Sequence, residues 1–156
     1  MPTRRLILAL AIALPASAAA QGPQPPATPA ASAADSAAIR ATALDYVEGW
    51  YTGDAARMER ALHPELVKRI IRVDSTGNAS VQGMGASALV SGTRSGFGKQ
   101  TPAERQVKTV RILDIFGSTA IVRADMADWV DQMQMAKIGG RWVIVNVLWE
   151  TRPRQR

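Results

Sequence analysis

At 156 residues the chain has room for one domain, and its complete lack of cysteine excludes disulfides, thiol catalysis, thiolate metal sites and a lipidated-cysteine anchor. The formal charge of +6 falls to +4 once Arg4 and Arg5 leave with the leader described next, and arginines crowd the tail, so the body is nearly neutral. No basic stripe with interleaved aromatics is visible, and no nucleic-acid partner is expected.

Residues 1–20 have the order of a secretory signal: Arg4 and Arg5, the apolar run from Leu6 to Leu14, then Pro15 and small residues ending in Ala18-Ala19-Ala20. That run is too short to span a bilayer as a stable helix. The expected product is exported, periplasmic or secreted, begins at Gln21, and has no stable membrane anchor. Thr3-Arg4-Arg5-Leu6 also has a twin-arginine look, and the general secretory route is preferred over it. Residues 21–34 are rich in proline and alanine without a large apolar side chain, the composition of a disordered tether. A folded domain is expected over 35–151, followed by a solvated basic tail over 152–156.

Asp35-Ser36 supplies a helix cap, and Ile39, Ala43, Tyr46, Val47 and Trp50 then recur on one helical face. Gly53 ends that helix and Asp54 caps a second, with Met58, Ala61 and Leu62 inward and His63-Pro64 at its end. A strand over 66–73 and a turn at Asp74 to Asn78 precede a short strand over 79–82. A third short helix spans 86–93, and the glycine-rich stretch over 95–102 is a mobile loop. From Arg105 onward the pattern changes to strands over 106–116, 119–127, 129–138 and 141–150, with Gly139-Gly140 as a tight hairpin turn. Helices first and strands after them describe an α+β layer fold.

The segments Tyr46-Val47-Glu48-Gly49-Trp50-Tyr51-Thr52-Gly53-Asp54, Ala61-Leu62-His63-Pro64 and Lys68-Arg69 resemble the first half of the "Putative lumazine-binding" branch of the nuclear-transport-factor-2-like superfamily. Asp128-Trp129-Val130-Asp131 and the run from Lys137 to Trp149 resemble its second half. The resemblance covers 36–151 and implies a cone-shaped, cystatin-like fold. In that fold the N-terminal helices pack in a strongly curved antiparallel β-sheet, and two copies commonly pair through the sheet. Enzymes, binding proteins and interaction modules all occur on this scaffold, so neither lumazine nor flavin binding follows from the family name.

The resemblance also implies a role for Tyr46. In ketosteroid isomerase relatives, a tyrosine placed before the Gly-Asp aspartate as Tyr46 is before Asp54 donates to the substrate oxyanion. A core tyrosine with a buried hydrogen bond is the plainer reading and takes precedence. The isomerases' carboxylate base would fall by the same spacing at Lys68 to Ile70, where this chain has Lys68-Arg69-Ile70, so an isomerase would need a carboxylate from elsewhere.

His63, the sole histidine, is a candidate base, set against a plainer role in bonding the last carbonyls of the second helix. Asp125, Asp128 and Asp131 alternate in face along a strand and make no ready metal cluster. Asp131 shares its face with Met133 and Met135; it is an acid or ligand anchor if that face is concave, and a dimer rim residue if it is convex. Catalytic candidates are therefore Tyr46, His63 and Asp131, and the candidate ligand-binding set is Tyr46, Trp50, His63, Met84, Asp131, Met133 and Asn146. Asn146 enters because strict alternation puts its amide on the face of Trp142 and Ile144, where it needs a partner. No metal and no cofactor is implied. The expected function is binding of a small apolar ligand in a cone pocket by an exported homodimer. The alternatives are an isomerase, dehydratase or cyclase using the tyrosine with a carboxylate or histidine, and a non-catalytic dimerisation or docking module.

Overall fold

The computed structural model describes residues 32–153. The expected signal, the tether up to residue 31 and the last three residues of the tail lie outside the described residues. Helix α1 runs Ala33–Thr52, beginning before the expected cap. Ser32 is the N-cap, its hydroxyl accepting the Asp35 amide at 3.0 Å, so Ala33 and Ala34 belong to the helix and not to the tether. Ile39, Ala43, Tyr46 and Val47 all face the core. Asp54 accepts the Arg57 amide and starts α2, Ala55–Ala61, which buries Met58 and Ala61.

Strand β1, Leu62–Val73, follows α2 at once. His63-Pro64 is thus the beginning of a strand, and His63 does not cap helix carbonyls; its Nδ1 accepts the Glu65 amide at 3.2 Å. Proline is tolerated there because the pairing of this strand breaks register between Leu62 and Val67, where no ladder bond is lost. The chain continues through β2 (Ala79–Gly85), α3 (Ala86–Arg94) and short 3-10 turns at Phe97–Gln100 and Ala103–Arg105. It ends in β3 (Thr109–Phe116), β4 (Thr119–Asp125), β5 (Trp129–Ile138) and β6 (Arg141–Thr151). Gly139 and Gly140 join the last two strands with φ of 56° and 80°, the left-handed pair that a two-residue hairpin of this hand demands.

The strands form one six-stranded sheet in the order β2-β1-β6-β5-β4-β3. This corrects the expectation of a strongly curved, wholly antiparallel layer. The sheet is not strongly curled, it ends in two separate edges at β2 and β3, and β1 runs parallel to its neighbour β6. Alternation in a sequence marks which face is apolar; it carries no measure of bend, which depends on where bulges fall. Parallel pairing escapes notice because β1 and β6 lie far apart in the chain, with no hairpin to set their direction.

One bulge decides which residues reach the site. Met135 pairs with Ile144 but Gln134 pairs with Asn146, so Val145 is an extra residue on β6. Before it Trp142 and Ile144 point inward; after it Val147 does, and Asn146 and Leu148 turn to the outer face. The helices cover the inner face, where Val122, Met133, Met135 and Ile144 are fully enclosed.

Candidate functional site

Between α1, α3 and the β1-β6-β5 part of the sheet lies a cavity of about 250 Å³. Trp50, Trp129 and Trp149 form its walls, with Ala88, Leu89 and Gly92 contributed by α3. Met84 and Phe97, both partly exposed, stand at its mouth. The indoles meet edge to face, Trp50 against Trp129 at 5.9 Å and Trp129 against Trp149 at 6.0 Å between ring centroids.

At the base of this apolar box Tyr46 and Lys68 line the cavity, and Asp131 lies behind them, fully buried. Lys68 Nζ donates to Tyr46 Oη at 2.5 Å and to Asp131 Oδ1 at 2.6 Å. Tyr46 in turn donates to Asp131 Oδ2 at 3.0 Å, and Trp129 Nε1 donates to the same oxygen at 3.1 Å. The carboxylate thus has three donors around it, the condition under which a buried charge is tolerated. The ammonium also sits over two rings, 4.9 Å from the centroid of Trp149 and 5.2 Å from that of Tyr46. Burial, with the neighbouring Asp131 charge, pushes the Tyr46 hydroxyl well above its ordinary range and keeps it a neutral phenol. Burial lowers the Lys68 pKa, and Asp131 opposes that shift.

The structure thus brings together two of the three catalytic candidates, Tyr46 and Asp131, and settles that Asp131 faces the helices. Tyr46 is the buried, hydrogen-bonded tyrosine of the plainer reading, and the arrangement does not suit the alternative oxyanion role. The phenolic proton goes to Asp131 instead of the cavity, and the carboxylate is screened from the cavity by the groups that bond it. His63 does not join them. It lies in a separate groove with Glu59, Arg60 and Arg141, because β1 begins before it and carries it to the far end of the strand. Trp50 and Met84 line the cavity, whereas Met133 packs in the core beneath it. Asn146 is on the outer face, bonding Gln134 at 3.1 Å, and the bulge at Val145 is the reason alternation misplaced it.

The other two aspartates of that spacing, Asp125 and Asp128, are held by arginines. Asp125 is held by Arg111, Arg123 and Arg152 at 2.7 to 2.9 Å, and Asp128 meets Arg105 at 3.3 Å. Arg152 is therefore anchored, donating also to the Met126 carbonyl, and is not part of a solvated tail. Lys68 is the central residue that the candidate set omits. Its signal was present: Leu66, Lys68 and Ile70 alternate on one face, which put a lysine into a buried row.

Comparison with known proteins agrees with this fold. No curated protein matches the chain in sequence. Among solved structures, a nuclear-transport-factor-2-like protein of unknown function from Shewanella baltica is 21% identical, with a TM-score of 0.60, covering 78% of this chain and 96% of that one. A nuclear-transport-factor-2-like protein of unknown function from Methylobacillus flagellatus is 20% identical with a TM-score of 0.60, covering 81% and 98%. A ketosteroid isomerase-like protein from Erwinia carotovora atroseptica is 16% identical with a TM-score of 0.53, covering 76% and 96%. At these identities the likeness establishes the fold alone. The profile of the family described as "Putative lumazine-binding" matches residues 34–150, and the chain belongs to that family.

Proposed function

We propose that this protein binds a small, largely apolar molecule in the cavity between α1, α3 and the sheet, without covalent chemistry of its own. One observation carries the reading: an apolar chamber walled by three indoles, with the titratable groups at its base, Tyr46, Lys68 and Asp131, bonded to one another. Ligand sites are typically concave and apolar with few polar groups. A proton-transfer site would instead leave its acid or base unspent toward the substrate. Titration with the neutral fluorescent probe N-phenylnaphthylamine tests the reading. Saturable binding is expected, abolished by Ala88→Phe, which plugs the chamber from α3 while leaving the thermal midpoint unchanged. Failure of the native protein to bind the probe, or equal binding by the plugged variant, would overturn it.

Export is part of the same proposal and is supported by the order of Arg4, Arg5, the apolar run and Ala18-Ala19-Ala20. Cell fractionation with mass measurement of the mature N-terminus tests it. Pairing of two copies through the outer sheet face is likewise proposed, supported by exposed Ile71, Ile121 and Leu148 on that face. Light scattering tests it: a dimer converted to monomer by Leu148→Lys is expected, and a monomer from the start would sink it.

A further inference from the structure

We propose that the chamber selects a neutral, flat aromatic molecule bearing a hydrogen-bond acceptor, a carbonyl or a ring nitrogen, that engages Lys68 Nζ. This rests on the binding reading above and adds the chemical class of the ligand.

The polar groups in the wall are asymmetric. An ammonium has three N–H donors, and Lys68 has side-chain partners for two of them, Tyr46 Oη and Asp131 Oδ1. The Trp50 indole N–H is buried and has no partner among the described residues. Both side chains line the chamber. Acceptors, by contrast, are spent or withdrawn. Tyr46 Oη already receives Lys68, and Asp131 receives three donors without lining the chamber. A ligand rich in donors would leave them unpaired in an apolar box, whereas one that brings an acceptor satisfies what the wall offers.

Charge then separates neutral acceptors from anionic ones. The Lys68 charge is already matched by Asp131 at 2.6 Å, in a site where the two side chains are 5% and 0% exposed. A ligand carboxylate would add a second negative charge to one positive charge away from water, and nothing in the wall compensates it. The shape argument is independent of both. Three edge-to-face indoles favour a planar ring over a branched aliphatic body, and a volume of about 250 Å³ suits a molecule of one or two fused rings.

Intrinsic tryptophan fluorescence of the purified protein, titrated at neutral pH with naphthalene, acetonaphthone and ionised naphthoate, decides the question. Acetonaphthone is expected to bind at least about tenfold more tightly than either of the others, the scale of one hydrogen bond from a charged donor. In Lys68→Met, with its fold checked by circular dichroism, that preference over naphthalene is expected to vanish. Naphthoate binding as tightly as acetonaphthone, or naphthalene equalling it, overturns the proposal and leaves apolar binding standing. Absence of binding by all three, together with failure of N-phenylnaphthylamine, overturns both. Should Lys68→Met not fold, the ranking in the unaltered protein is decisive by itself.

Discussion

Lys68 and Asp131 reach each other across an intervening strand: β6 separates β1 from β5, yet Nζ lies 2.6 Å from Oδ1. The pair is enclosed, and it ties the parallel part of the sheet to the antiparallel part. Lys68→Met leaves Asp131 buried without its counter-charge, and the expected loss is about 3–5 kcal/mol of unfolding free energy. The double variant Lys68→Met/Asp131→Asn removes the stranded charge and should recover a good part of that loss. Urea unfolding of the three proteins measures it, and strict additivity of the two changes would mean that the charges do not interact.

The Tyr46 hydroxyl is committed to this pair, receiving Lys68 and donating to Asp131. Tyr46→Phe is therefore expected to lower stability by about 1–3 kcal/mol, as a hydrogen bond to buried charge is removed. A thermal melt checks this. An unchanged midpoint would return the hydroxyl to duty toward a ligand.

Gly98 packs directly beneath the chamber wall. A Cβ at that position would stand 2.1 Å from the Trp50 carbonyl oxygen, a backbone atom with no freedom to yield. Gly98→Ala should push the turn carrying Phe97 away from α1, costing about 1–3 kcal/mol as an overpacking change. Weaker binding of N-phenylnaphthylamine is expected alongside the lower melting temperature, and loss of stability without loss of binding would show that the turn does not shape the chamber.

Trp142 is a core residue with its indole N–H given to Asp35 at 2.9 Å. Trp142→Ala is expected to cost about 3–5 kcal/mol, combining a large cavity with the loss of that bond. Trp142→Phe should fall between the two proteins in a denaturant series, because it keeps much of the packing while losing the N–H and part of the indole volume.

Acid should destabilise the fold through its bonded carboxylates. Hydrogen bonds from Lys137, Trp142 and Ser32 bring Asp35 from its ordinary 3.8 down to about 2. Arg123, with Arg111 and Arg152, holds Asp125 below the usual carboxylate range against the opposing effect of its burial. A carboxyl whose folded pKa is depressed binds its proton less readily in the folded state, so its stabilisation is fully present above the unfolded pKa. It is lost as pH falls through the folded one. Stability should stay level from neutral to about pH 4 and decline between about 4 and 2, continuing below as Asp125 titrates. Asp35→Asn should flatten the upper part of that decline in a pH series of thermal melts.

Local pattern carried much of this protein. The helical recurrence of Ile39, Ala43, Tyr46 and Val47, the cap at Asp54, the strand over 129–138 and the Gly139-Gly140 turn are all legible because each depends on neighbours a few residues away. The family was legible for the same reason, through motifs at the two ends of the domain. Part of the site was too, since the helical recurrence puts Tyr46 inward, whereas strand alternation left the face of Asp131 open until the fold set it against α1.

What only the tertiary structure decided are relations between distant segments. The parallel β1–β6 pairing, the open sheet without strong curl, and the removal of His63 to another groove follow from which strands meet, about which period-two alternation is silent. The extra residue at Val145 exchanges faces along β6, sending Asn146 outward and turning Trp149 into the chamber. Lys68 stays buried because that fold sets Asp131 within reach of its ammonium, and a charge can remain in a core only where the chain delivers its partner.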